Sequence, residues 1–166
     1  MIFATVGTQL PFDRLIGAID KWSLNQRDST SFAQIGAQGV GPKNISFAST
    51  ITPLQFAKHI AECKVIVSHA GMGTILTALQ VCKPIIIMPR LAKYGEHRND
   101  HQLATVANLR SRKGIHVAKD EKALFEKLDH LQALKPDETA SVAAESKLLA
   151  AIRGFIATGT QEATHA

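Results

Sequence analysis

Residues 65–74 read Val-Ile-Val-Ser-His-Ala-Gly-Met-Gly-Thr, a short apolar run followed by a turn that contains two glycines. An apolar pattern with helical spacing follows this turn and runs through Val81. The start of the chain has the same order, because the apolar run from Met1 to Val6 ends at Gly7 and a helical pattern follows. Two units of strand, glycine turn and helix are typical of an α/β protein.

Further apolar runs extend this alternation through the chain. The predicted strands are residues 31–35, 44–48, 85–88 and 115–118, and further helices are predicted after Thr52, around Leu103 to Arg110 and after Asp120. Thr52 and Gln55 form a capping-box pattern at the start of the first of these helices. The alternation predicts a Rossmann-like α/β fold, with a mainly parallel sheet and helices on both faces.

Four loops follow the predicted strands and are expected at one edge of the sheet. Ligands of parallel α/β sheets bind at the carboxyl ends of the strands. The loops are Gly7 to Pro11, Ser49 to Thr52, Ser68 to Thr74 and Pro89 to Gln102. We therefore expect the functional residues among them.

The length and composition predict one globular domain. The chain has 166 residues, 45% of them hydrophobic and 20% charged. We expect the domain to span residues 1–157 and end in an amphipathic helix, followed by a disordered tail at 158–166. The apolar stripe of that helix, which we expect to dock on a partner protein, is formed by Leu148, Leu149, Ile152, Phe155 and Ile156.

The net charge of +5 favours anionic partners such as a phosphate-bearing substrate, acidic lipid or nucleic acid. Nucleic acid is the weakest of these predictions, because the basic residues are not interleaved with aromatic stacking platforms. No apolar run approaches the roughly 20 residues that span a bilayer, and the first residues lack a signal-peptide pattern. A cytoplasmic protein is expected.

The turn from Ser68 to Thr74 has the chemistry of an anion site. Gly71 and Gly73 let backbone amides and the positive end of the following helix approach a diphosphate, and Thr74 adds a hydroxyl. Gly7 and Thr8 would bring a second backbone segment to the same edge. The pattern is neither a GxGxxG fingerprint nor a GxxxxGK[ST] phosphate loop. An alternative is that the glycines only pack helix against strand.

Histidines in these loops allow several roles. His97 and His101 are four positions apart but have no clear third ligand, so we expect hydrogen bonding to a substrate or helix capping rather than a metal. His69 is a candidate base, with a structural histidine as the alternative.

Three stretches together resemble the glycosyltransferase family 28 C-terminal domain. They are residues 5–13 (Thr-Val-Gly-Thr-Gln-Leu-Pro-Phe-Asp), 68–74 (Ser-His-Ala-Gly-Met-Gly-Thr) and 95–102 (Gly-Glu-His-Arg-Asn-Asp-His-Gln). The resemblance covers about the first 120 residues. It is strongest to separate donor-binding subunits, namely those of bacterial exopolysaccharide glucuronosyltransferase pairs and of the split dolichol-linked N-acetylglucosamine transferase.

This resemblance implies one half of a GT-B glycosyltransferase that is inverting, uses a UDP-sugar and needs neither metal nor other cofactor. It also implies that a membrane-associated partner subunit carries the acceptor site and brings this chain to the inner face of the membrane. The acceptor would be a lipid-linked saccharide in exopolysaccharide biosynthesis.

The resemblance also implies roles for individual residues. Gly71, Gly73 and Thr74 would meet the diphosphate and Gly7 with Thr8 would border it, whereas His101 and Gln102 would approach the donor sugar. Thr77 stands where many members carry an acidic residue that holds the ribose hydroxyls.

The reaction adds two further roles. Arg90 or Arg98 would balance the charge of the leaving UDP. His69 or Glu96 would serve as the base, with the partner subunit as the other source.

Two other functions remain open at this stage. One is a nucleotide-binding module with regulatory or scaffolding work and no reaction of its own, which inactivity with the proper partner would indicate. The other is a different GT-B enzyme such as a nucleotide-sugar epimerase, which analysis of the products formed from UDP-sugar alone would reveal.

Overall fold

The computed structural model describes residues 1–26 and 30–137. Within them the chain forms a six-stranded sheet. The strands are β1 Ile2–Thr5, β2 Ser31–Gln34, β3 Ser46–Ala48, β4 Val65–His69, β5 Ile85–Met88 and β6 Ile115–Val117. Each coincides with a predicted strand, although β3 begins two residues later than the apolar pattern indicated.

The strands are parallel and lie in the order β3-β2-β1-β4-β5-β6. This confirms the Rossmann-like α/β prediction. The order reverses between β1 and β4, because successive connections lead outward from this central pair in opposite directions. Such a switch point opens a crevice at the carboxyl ends of the strands.

Helices connect the strands and cover both faces of the sheet. The helices are α1 Asp13–Ser23, α2 Pro53–Glu62, α3 Met72–Gln80, α4 His101–Leu109 and α5 Glu121–Asp129. Short 3-10 turns lie at Ala92–Tyr94 and Leu131–Ala133. The second turn follows the end of α5. The helix ends before it because His130 has φ −116° and ψ 40°, outside the helical region.

Two hydrophobic layers sandwich the sheet. On one face, α1 and α5 pack over the side chains of Ile2, Ala4 and Val67. On the other face, α2 and α3 pack over Phe3 and Ile66, with α4 at the margin. Because both faces are covered, the central strands are apolar throughout, and every residue of β5 is buried.

Several predictions for the end of the chain lie outside the described residues. They are the amphipathic helix with its stripe from Leu148 to Ile156, the boundary at residue 157 and the tail at 158–166. Across 1–26 and 30–137, the helices are all too short or too polar to cross a bilayer.

Candidate functional site

A cleft of about 740 Å³ lies at the carboxyl edge of the sheet, over the switch point. All four loops predicted to carry function contribute to its walls. The predicted site residues that line it are Gly7, Thr8, His69, Gly71, Gly73, Thr74, Thr77, Arg90, His101 and Gln102. Glu96 and Arg98 are not among its lining residues.

The start of α3 forms one wall of the cleft. Gly71 is the N-cap residue, so Gly73 and Thr74 belong to the first helical turn rather than to the preceding loop. In the described structure no side chain caps this turn. The first amides of an α-helix have no partner within the helix, and together with the helix dipole they favour an anion. The α3 start therefore has the geometry of a phosphate site.

His69 lies between the two glycine turns. A β-carbon added at Gly71 would stand 2.1 Å from His69 Nε2, and one added at Gly7 would stand 2.9 Å from Cε1. Gly7 also has φ +76°, which favours glycine. The imidazole thus sets the spacing of the turns, and both glycines are needed to admit it.

The imidazole of His69 is uncharged at neutral pH. Its pKa is lowered to about 4, first by burial and then by the positive charge of Arg90. Its Nδ1 lies 3.3 Å from Ser68 Oγ, and that hydroxyl donates to the Thr5 carbonyl at 2.9 Å. Such a low pKa makes His69 a weak proton acceptor, although its role as a base stays a prediction.

Arg90 braces the loop that follows β1. Its side chain is buried and donates hydrogen bonds to the carbonyls of Val6 (2.8 Å), Leu10 (2.7 Å), Pro11 and Glu96 (3.3 Å). Burial lowers its pKa, but an arginine remains charged in a protein. Since both terminal nitrogens are bonded to backbone, Arg90 acts on the cleft through its shape and its charge.

Glu96 is held away from the cleft by Arg14. Arg14 Nε and Nη2 donate to the two carboxylate oxygens at 2.6 and 2.8 Å, and the Leu91 amide donates to Oε2 at 2.8 Å. The hydrogen bond to Glu96 is the main cause of a raised Arg14 pKa. This bidentate pair anchors the loop after β5 to α1, a structural task that accounts for Glu96 without catalysis.

His97 and His101 lie together at the mouth of the cleft, with ring centres 4.4 Å apart. Asn99 joins them, since its amide approaches His97 Nδ1 at 3.4 Å and its Oδ1 lies 2.5 Å from His101 Nδ1. Arg98 is exposed on the same loop. Among residues 1–26 and 30–137, no three His, Cys, Asp or Glu side chains are grouped to hold a metal ion.

Gln102 connects the ends of β4 and β5. Its side chain is buried, and Oε1 accepts hydrogen bonds from the amides of Ala70 (3.2 Å) and Arg90 (3.0 Å). Thr77 lies on the next turn of α3, and its hydroxyl donates to the Gly73 carbonyl at 3.0 Å. Of the two, Gln102 shapes the cleft, whereas Thr77 presents a hydroxyl whose proton is already used.

Gln34, which the sequence analysis missed, connects three strand ends beneath the cleft. Its Oε1 accepts from the Thr5 hydroxyl at 2.7 Å, and its Nε2 donates to the carbonyls of Gly7 (3.0 Å) and Ser49 (3.2 Å). A buried amide at the end of an apolar strand was the available signal. It fixes the turn after β1 relative to the loop before α2.

The start of α2 also lines the cleft. Here the predicted capping box is confirmed. Thr52 Oγ1 accepts from the Gln55 amide at 3.2 Å, and Gln55 Oε1 accepts from the Thr52 amide at 2.8 Å. Pro53 at the first helical position has no N–H to satisfy. The α2 start thus satisfies the Thr52 and Gln55 amides from its own sequence.

Comparison with known proteins agrees with this architecture. Residues 1–153 match the glycosyltransferase family 28 C-terminal domain. A crystal structure of the glycotransferase of kitacinnamycin is similar with a TM-score of 0.57 and 16% identity over 85% of this chain. MurG of Acinetobacter baumannii is similar with a TM-score of 0.55 and 20% identity over 87%. No curated protein shows a significant sequence match.

The chain spans about 36% of the first of these structures and 45% of the second. At these identities the likeness concerns the fold alone. It agrees with the expected Rossmann-like half of a GT-B enzyme.

Proposed function

Because the chain belongs to the glycosyltransferase family 28 C-terminal domain family, we propose that it is the donor-binding part of a glycosyltransferase and binds a UDP-sugar in the cleft. The observation that carries this proposal is the uncapped start of α3, which opens into a cleft at the switch point of the sheet. The diphosphate lies against the amides of Gly73 and Thr74, with Gly7 and Thr8 across from it. His101 and Gln102 face the donor sugar.

The proposed reaction transfers the sugar from UDP to an acceptor hydroxyl. As the bond to the sugar breaks, negative charge develops on the leaving diphosphate. Amides fixed at a helix start stabilise such charge without having to reorganise. Arg90 contributes its positive charge from beneath the turn that follows β1, and Arg98 is an exposed cation on the loop after β5.

The acceptor hydroxyl must also lose a proton. His69 has a pKa of about 4 and Glu96 is paired with Arg14, so neither matches a base poised near neutral pH. We therefore place the base on the acceptor-binding half of the enzyme. This assignment makes transfer by the present chain dependent on a partner.

The finer proposal is a two-component enzyme that acts on a lipid-linked saccharide in exopolysaccharide biosynthesis. The partner is membrane-associated, binds the acceptor and recruits this chain to the inner face of the membrane. What supports this is the resemblance of residues 5–13, 68–74 and 95–102 to separate donor-binding subunits. The same resemblance favours UDP-glucuronate as donor.

Calorimetric titration with UDP and UDP-sugars tests donor binding. Thr74→Ala should weaken UDP binding by roughly 1.5 to 3 kcal/mol, because it removes one hydrogen bond to a charged phosphate. Thr74→Ser should retain the contact. Thr105→Ala is the matched control, since Thr105 is a helical threonine outside the cleft lining whose hydroxyl donates to a backbone carbonyl.

Unchanged UDP affinity in Thr74→Ala would remove the proposed diphosphate site. If donor binds but no transfer follows when the partner is supplied, the chain is a regulatory nucleotide-binding module instead.

A further inference from the structure

The hydrogen bonds around His69 determine which of its ring nitrogens carries the proton. Ser68 Oγ donates to the Thr5 carbonyl, an atom that can only accept, so the single serine proton is used there. Nδ1 of His69, 3.3 Å from the same oxygen, must then be the donor of that contact. The Thr5 carbonyl also raises the pKa of the imidazole, as an acceptor facing a ring N–H does.

Protonation at Nδ1 leaves Nε2 with a free lone pair. In the described part of the chain no group hydrogen-bonds to Nε2. Nε2 is not fully buried, so it is accessible to solvent. Because His69 lines the cleft between Gly7 and Gly71, the lone pair faces the space that a ligand would fill.

We propose that His69 Nε2 accepts a hydrogen bond from a sugar hydroxyl of the bound donor. This inference rests on the proposed donor site. A lone pair repels a phosphate oxygen, so the group that contacts Nε2 must bring its own proton. The ribose and the transferred sugar, one on each side of the diphosphate, both carry hydroxyls, and no side-chain carboxylate lines the described cleft to receive them.

This role differs from that of a general base. The charge of Arg90 and the nearby ring of His97 both disfavour a proton on His69, which keeps the Nε2 lone pair available to a hydroxyl. His69 would then orient the donor, and a partner residue would activate the acceptor. The role also explains why a histidine occupies a position that admits little side-chain movement between two glycines.

Long-range proton–nitrogen NMR spectra of protein with ¹⁵N-labelled histidine test the proposal, with His69 assigned from the His69→Gln spectrum. The ligand-free protein should show protonated Nδ1 and unprotonated Nε2. An Nε2–H tautomer or an imidazolium would overturn the proposal. This measurement needs no ligand, so it stands apart from the proposed function.

Saturation with UDP and then with UDP-glucuronate gives the second measurement. If Nε2 changes with UDP but stays unprotonated, it accepts from a ribose hydroxyl, and such a change only with UDP-glucuronate identifies the transferred sugar. Protonation of Nε2 on UDP binding would mean that it contacts the diphosphate and would overturn the proposal. A shift of the Thr74 amide without any change at Nε2 would overturn this inference alone. If no cleft signal moves with either ligand, the proposed function fails and the inference fails with it.

Two variants separate orientation from catalysis. Glutamine places an acceptor near the position of Nε2, whereas asparagine does not reach it. His69→Asn should weaken donor binding about three- to tenfold, the usual range for one neutral hydrogen bond. His69→Gln should stay within about twofold, with thermal melts as a check on folding. If His69→Gln binds donor normally but loses transfer in the assembled enzyme, His69 is the base and the proposal is wrong.

Discussion

Helices α2 and α3 both begin at one cleft, yet their first turns are built differently. The α2 start has a threonine cap, a proline and a glutamine that returns a hydrogen bond to the cap. The α3 start has glycine at the cap, and no described side chain bonds to its amides. The α2 start bonds the Thr52 and Gln55 amides from its own sequence, whereas the first amides of α3 have no side-chain cap in the described structure and are open to the proposed ligand.

The difference indicates how a functional helix start is recognised. A Ser or Thr N-cap stabilises a helix by about 1 kcal/mol relative to alanine but by only a few tenths relative to glycine, so the glycine cap costs α3 little stability compared with α2. A phosphate that binds α3 has no side chain to displace. The glycine turn and the missing cap point to the same helix, which neither feature would identify alone.

Adding a side chain at Gly71, the N-cap of α3, should have the largest effect on stability and binding. In Gly71→Ala the new methyl group would stand 2.1 Å from His69 Nε2, so the ring must turn away into the cleft that it lines. We expect the free energy of unfolding to fall by up to about 3 kcal/mol and UDP binding to be lost, because the displaced ring occupies the proposed donor site. Chemical denaturation and calorimetry measure both. A stable variant that binds UDP normally would contradict the described packing of His69.

Acidification should act on the α3 side through His69. Its folded pKa of about 4 is below the ordinary histidine value, so between those values the unfolded chain binds more protons. The contribution of neutral His69 to the unfolding free energy is therefore fully present above about pH 6.5 and declines as the pH falls towards 4.

The decline due to His69 should be on the order of 3 kcal/mol. Denaturation of wild type and His69→Gln at several pH values isolates it, because His116 and the carboxylates are common to both. Parallel pH curves for the two proteins would show that His69 is not buried in its neutral form.

Removing the α2 cap should cost stability without affecting the ligand. Gln55→Ala deletes the bond from Oε1 to the Thr52 amide, and Gln55 does not line the cleft. We expect a loss of about 0.5 to 1 kcal/mol in unfolding free energy and an unchanged UDP affinity. A drop in affinity as large as that of Thr74→Ala would mean that the two helix starts share the ligand.

The smallest expected effect is a gain at α3. A β-carbon at Gly73 meets nothing within 4 Å, and the residue lies in the first turn of a helix. Gly73→Ala should raise the unfolding free energy by up to about 1 kcal/mol while keeping the amide that would bind the proposed phosphate. Thermal melts and UDP titration test this pair of expectations. A strong loss of affinity would place the ligand in the space that the methyl group fills.

The fold was predictable because its signals are local. Apolar runs, glycine turns and the Thr52 capping box each depend on neighbouring residues, and alternation of strand and helix then leaves little choice of architecture. Strand ends shifted by one or two residues, as hydrogen bonding at strand ends depends on the partner strand.

The site was predictable only in part, because side-chain tasks depend on partners far away in sequence. Arg90 was a candidate cation, but three of the four backbone carbonyls that its side chain contacts lie 79 to 84 positions away. Glu96 was a candidate base, but it pairs with Arg14 across 82 positions. Nothing in the local pattern around either residue reveals these contacts.

The pairing of β1 with β4 also determines when the cleft forms during folding. Thr5 and Ser68 are neighbours in the sheet but 63 positions apart along the chain. Pairing over such a separation is slow, because the chain must lose loop entropy before the contacts form. The two turns that enclose the proposed donor come together only when β1 and β4 pair. A donor that contacts both turns should therefore slow unfolding and leave the refolding rate unchanged, because it binds only the folded protein.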